Sequence, residues 1–171
     1  MKETAMFELK PLTREAIPRS LDKALRYRLL NESAEAVSIC RDVLELEPDN
    51  QQALATLVLA LTDQLVRWKR GTFDEARTAI GRLVSEYERL YYSGILHERW
   101  AKAYHRRGAP GSGPPTYDGL REAMELFERA AALAPHDNED AILRWNACAR
   151  FIRDHADVAP AAEETFRPLL E

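Results

Sequence analysis

β-Branched residues are scarce in this chain: Val and Ile together supply 12 of 171 positions. Parallel sheets, sandwiches and barrels draw their strands from such residues, so the shortage argues against all three. Cysteine is almost missing as well. Cys40 and Cys148 form neither a CxxC nor a framework of several bridges. Both stand among apolar neighbours, which predicts reduced, buried, inert thiols in a cytoplasmic protein. The longest apolar run, Ala53 to Leu61, stops at Thr62-Asp63-Gln64 and is too short to cross a bilayer. Residues 1–16 mix charges throughout and lack the apolar stretch of a secretion signal. A basic excess is missing too: 24 basic against 28 acidic residues, interspersed, give −4. A dedicated nucleic-acid binder shows the opposite balance. These absences predict a soluble protein with no membrane partner and disfavour nucleic acid as one.

What is present is helical. Ala, Glu, Lys, Leu and Arg make up 89 of the 171 residues, and these straight-chain residues favour helix. A hydrophobic content of 46 % is enough for a folded core. The length predicts one domain.

The chain also repeats itself. Ala36, Cys40, Val43 and Pro48 are separated by four, three and five residues, and Ala123, Phe127, Ala130 and Pro135 by the same intervals. Leu46 and Leu133 each stand two residues before the proline. Asp49-Asn50 follows the first proline and Asp137-Asn138 the second. Ala76, Ile80 and Leu83 repeat the first two intervals between them. Spacings of four and three make one apolar stripe on a helix. A small residue on the stripe admits a neighbouring helix closely. The proline then stops the helix, and Asp or Asn caps the next.

Each unit therefore reads as a helix pair. The expected helices run over 20–30, 34–47 with Ser33 as cap, and 51–69 ended by Gly71. A fourth starts at the capping box Thr72-Phe73-Asp74-Glu75 and continues through Tyr87 and Leu90. A fifth begins near Gly94 and carries Trp100 and Tyr104. Gly108–Pro115 reads as a surface loop, followed by a helix over 117–133 and a last one over 138–154 capped by Asp137. About seven helices and no sheet are expected.

These residues resemble tetratricopeptide repeats. Trp100-Ala101, Tyr104, Gly108, Ala123, Phe127, Ala130 and Pro135 match that helix–turn–helix pattern in order, with an insertion after Gly108. Ala24, Tyr27, Ala36, Val43 and Pro48 match it in the first unit, with Cys40 in the aromatic position. The middle unit keeps Ala76 but lacks the first aromatic and the closing proline. The resemblance covers about residues 17–154, leaving 1–16 as an extension and 155–171 as a tail. It implies an all-α, α-α superhelix of about three helix pairs plus a C-terminal capping helix.

No catalytic constellation is present. The four histidines form no HExxH or Cys/His cluster, Gly108–Pro115 lacks the GK[ST] of a phosphate loop, and no serine sits in GxSxG. No metal or cofactor is expected. The resemblance implies a non-catalytic scaffold that holds a peptide or protein segment in a groove lined by the first helix of each pair. Carried onto this chain, the groove positions are Arg28, Leu29, Gln52, Leu59, Thr62, Asp63, Glu98, Lys102, His105 and Arg144. The same positions also read as ordinary solvated side chains. The family's chaperone-binding members clamp a C-terminal carboxylate, and the corresponding sites here hold Leu21, Leu25 and Thr56, which disfavours that ligand. Small bacterial secretion chaperones of this family are similar in size. Two other classes stay open: an RNA-associated helical repeat using Arg67-Trp68-Lys69-Arg70, Arg106 and Arg107, and an all-helical enzyme without a recognisable motif. A homodimer is compatible with every reading.

Overall fold

The computed structural model describes residues 7–67 and 71–162. Among these residues there are seven α-helices and no strand: α1 (Ile17–Leu29), α2 (Ser33–Leu46), α3 (Gln51–Asp63), α4 (Thr72–Gly81), α5 (Glu86–Arg106), α6 (Gly113–Leu133) and α7 (Asp140–Asp154). The protein is all-α. It divides into two compact units between Ser85 and Glu86, each built on its own buried core.

The first unit holds α1 to α4. Pro18 lies in the first turn of α1, where its missing N–H is no loss. Ile17, Leu21 and Ala24 turn one stripe inwards. Asn31, in the left-handed region at φ 62, carries the chain into α2. That helix buries Ala36, Val37, Cys40 and Val43 and stops short of Pro48. Asn50 then caps α3, its Oδ1 accepting from the N–H of Ala53 at 2.9 Å. α3 packs against α1, α2 and α4 and is buried on most of its circumference, including Leu54, Leu57, Val58 and Leu61.

Several boundaries differ from those the sequence suggests. α3 ends at Asp63 rather than near Lys69, passing into a 3-10 turn at Leu65–Arg67. The Trp68–Arg70 part of the basic cluster lies outside the described residues. α4 ends at Gly81, so Tyr87 and Leu90 belong to α5. Glycine weakens a helix by about 1 kcal/mol relative to alanine, and two side chains hold the turn that follows. Arg82 donates to the carbonyl of Pro48, and the N–H of Val84 donates to Gln51 Oε1 at 2.8 Å. Ser33 and Thr72 are first helical residues rather than caps, that position falling to Glu32 and Gly71.

The second unit holds α5 to α7. α5 and α6 run side by side, and α7 packs on α6 with a lighter contact to α5. Phe127 is the largest fully buried side chain among the described residues. Gly94 on α5 makes room for it, since a Cβ there would lie 2.5 Å from the ring. Ala101, Ala123 and Ala130 are buried too, whereas Trp100 and Tyr104 stack on each other at 5.3 Å and are half-buried. α6 begins at Gly113, not Tyr117, because Pro114 and Pro115 fit its first turn. The expected loop is correspondingly shorter. Asp137 does not cap α7; Asn138 Oδ1 accepts the N–H of Asp140 at 3.0 Å instead.

Beyond Asp154 the chain folds back as a short strap. Val158 is buried, and the carbonyl of Asp157 lies so close to Gly113 that a Cβ at that glycine would overlap it. Phe166 and Leu169 of the tail lie outside the described residues.

Candidate functional site

The groove positions read from the sequence fall in both units. In the first, Arg28 Nε donates to Asp63 Oδ2 at 2.8 Å, tying α1 to α3. Thr62 is buried, its hydroxyl donating to the carbonyl of Leu59 at 2.9 Å. Gln52 is exposed, and Leu29 is 87 % exposed at the end of α1.

In the second unit α5 and α7 bring four of the positions onto one face. Glu98 is the centre. Its side chain is only 2 % exposed, while those of Lys102 and Arg144 are 27 % and 29 % exposed. Lys102 Nζ donates to Glu98 Oε1 at 2.5 Å from one helical turn away. Arg144 Nη1, from α7, stands 3.4 Å from both carboxylate oxygens. Oε2 is buried and has no hydrogen-bond partner. Two cations therefore surround one buried carboxylate that still has an unused acceptor, and the cluster carries one surplus positive charge.

Aromatic rings extend this face in both directions. Towards the start of α5, Tyr87 and Tyr91 stack at 5.7 Å. Tyr87 donates its hydroxyl to Asn138 Oδ1 at 3.3 Å. Burial pushes both phenols above their ordinary range, with Asn138 opposing it at Tyr87 and Arg144 at Tyr91. Towards the end of α5, Lys102 Nζ lies 5.4 Å from the centre of the Phe151 ring. Phe151 stacks on His155 at 4.0 Å, and His105 meets both rings edge-on. Cys148 is buried on the same side of α7, and Cys40 is buried in the first unit. Burial pushes each thiol up to about 12, which keeps it uncharged and unreactive near neutral pH.

Sequence reasoning named Glu98, Lys102, His105 and Arg144 but took them for exposed positions. It missed Phe151 and His155 as members of the same face. Their signal is the three- and four-residue spacing of Arg144, Cys148, Phe151 and His155, which places them on one side of α7 and its C-terminal end.

His105 also anchors the strap, its Nε2–H donating to Asp157 Oδ2 at 2.8 Å. This bond holds the Asp157 carboxyl below its ordinary 3.8. A lowered carboxylate contributes stability that is complete above the ordinary value and lost as pH falls through the lowered one. Asp157→Asn is therefore expected to speed amide exchange of residues 155–159 at neutral pH. It should have no such effect once the wild-type carboxyl is protonated. Exchange measured at pH 7 and at a pH low enough to protonate the wild-type carboxyl checks both halves.

Among the described residues no three His, Cys, Asp or Glu side chains gather as a metal would require, and no helix is long and apolar enough to cross a membrane. No family model matches this chain, and no curated protein matches it.

Proposed function

We propose that the protein is a non-catalytic interaction module of tetratricopeptide-like helix pairs, and that the α5–α7 face holds a peptide or protein segment. The observation that carries this reading is the Glu98–Lys102–Arg144 cluster with its surplus positive charge, set between two groups of aromatic rings. Such a face offers partly exposed donors and flat apolar area together. Carbonyl and carboxylate oxygens of a peptide can take the first, and its apolar side chains the second. The pairing of consecutive helices supports the repeat reading, as does the position of α3, which packs on α1 as well as on α2.

A display screen of random peptides against the full chain tests it. Enriched peptides are expected to lose at least about tenfold in affinity, or 1.4 kcal/mol, on Lys102→Met and on Tyr87→Ala. Tyr87→Ala should do so without a matching fall in melting temperature, and Lys102→Met, which also weakens the hold on buried Glu98, is assayed at a temperature where it is fully folded. Binding that survives both substitutions would assign the ligand to another surface, and a screen that enriches nothing would remove the reading.

A further inference from the structure

In the first unit a crevice of about 880 Å³ opens between α2 and α4 and reaches Leu57 of α3. Leu57 and Ala79 are buried in its lining, and Leu44 and Leu46 are half-buried. One wall is the segment that leads towards α1, from Leu9 to Leu12. Leu12 packs with Leu44 and Leu46 against the core of Ile17, Leu21, Val43 and Ala53. Ahead of that anchor, residues 7–11 form an arm without helix or strand. Pro11 fixes its own backbone and favours extended backbone at Lys10. Phe7 and Leu9, both on this arm, are each 89 % exposed. A cavity of about 150 Å³ holds a benzene ring, so the crevice has room for both side chains.

We propose that this crevice receives Phe7 and Leu9 of a second copy, each copy lending its arm to the other in a twofold dimer. Arm and crevice adjoin on one molecule, since Leu9 belongs to both. A twofold axis between them lays each arm over the other's crevice, and the contact closes after two copies. The arm does not turn into its own crevice, because Leu9 stands only three residues before the Leu12 anchor and Pro11 stiffens that stretch. The charges match as well. Among the lining residues Lys10, Arg41 and Arg82 balance Asp42, Glu45 and Glu75. Arg41 donates to Glu75 at 2.7 Å and Arg82 to the carbonyl of Pro48, so both guanidinium groups are engaged. Asp42 and Glu45 make no ion pair among the described residues, and the Lys10 that arrives with the second arm supplies a cation for them. Glu8 is exposed between Phe7 and Leu9, and side chains alternate along an extended arm, so its carboxylate stays in water. The area suffices too. A buried aromatic side chain covers about 150–250 Å². Two phenylalanines, two leucines and the walls they cover come to about 1,200 Å², the lower bound of a stable interface. The proposal is independent of ligand binding on the α5–α7 face.

Sedimentation of the full chain over a range of concentrations tests it. The wild type is expected to dimerise, and Phe7→Ser combined with Leu9→Ser to raise the dissociation constant at least about tenfold. Both residues are exposed in the single copy, so the melting temperature of the dilute, monomeric chain should not move. A wild type that stays monomeric throughout would overturn the proposal. So would a dimer that ignores both substitutions, because its interface then lies on another surface. Disulfide trapping locates the arm. Chains carrying only Leu9→Cys are mixed with chains carrying only Thr78→Cys, an exposed position of α4 on the crevice. The two native thiols, buried and pushed up to about 12, do not compete. Bonds between the two kinds of chain are expected to form at least tenfold faster than with Lys23→Cys, exposed on α1 and outside the crevice lining. Equal rates count against the proposal. A chain carrying both Leu9→Cys and Thr78→Cys that closes only within itself would assign the crevice to its own arm and overturn it.

Discussion

Replacing Lys102 and Arg144 together by methionine is expected to cost about 3–5 kcal/mol, the range for a buried pair broken on one side. The carboxylate of Glu98 would stay buried with no compensating charge. Glu98→Met is expected to cost less, because the partly exposed ammonium and guanidinium can turn to water on their long stems. The triple replacement should recover most of the loss, since an apolar cluster of similar volume is often as stable as the ion pair it replaces. Urea denaturation of the three variants measures the pattern. If the double variant is no less stable than Glu98→Met, the carboxylate reaches water and the cluster is not the buried anchor described above.

The second large effect is expected at Phe127. Truncation to alanine removes a fully buried ring and should cost about 3–5 kcal/mol. Gly94→Ala addresses the same contact from α5. Its methyl would meet the ring at 2.5 Å, and overpacking of this kind costs about 1–3 kcal/mol. The gain in helix propensity, about 1 kcal/mol, offsets only part of that. Combining Gly94→Ala with Phe127→Leu should cost less than the two changes summed, by about 1 kcal/mol or more, because each relieves the other. Strict additivity of the measured unfolding free energies would show that Gly94 and Phe127 do not limit each other.

The helices were legible in the sequence wherever a stripe of small and apolar residues was long enough to be counted. Ala36, Cys40 and Val43 fix one face of α2, and Ala123, Phe127 and Ala130 fix one face of α6. Boundaries were legible less often. Gly81 reads as a tolerated helical glycine, and only the contacts of Arg82 with Pro48 and of Val84 with Gln51, each more than thirty residues apart, make it an end. A local signal was available, since Ser85 and Glu88 stand at capping-box spacing just where α5 begins. The start of α6 was hidden because two prolines after a glycine suggest a loop as readily as a first turn.

Of the candidate site, the residue types were visible and their depth was not. Helical spacing places Glu98 on the same face as Lys102. Its partner across the face is Arg144 of α7, 46 positions later. No local pattern reports such a distance. The strap was equally invisible, because the tight passage of Asp157 over Gly113 depends on two backbones and on no side-chain motif.

The break after Ser85 bears on how the chain acquires its structure. The main helix packing within each unit joins neighbours in sequence, or helices one further along. Loops closed by such packing are short, and their entropic cost rises only slowly with length. Chains whose packing is this local fold in microseconds to milliseconds rather than seconds. α1 to α4 are all made by residue 85, and each packs on others of the four. At a synthesis rate of about 5–20 residues per second, the first unit has seconds in which to settle while α5 to α7 are still being made.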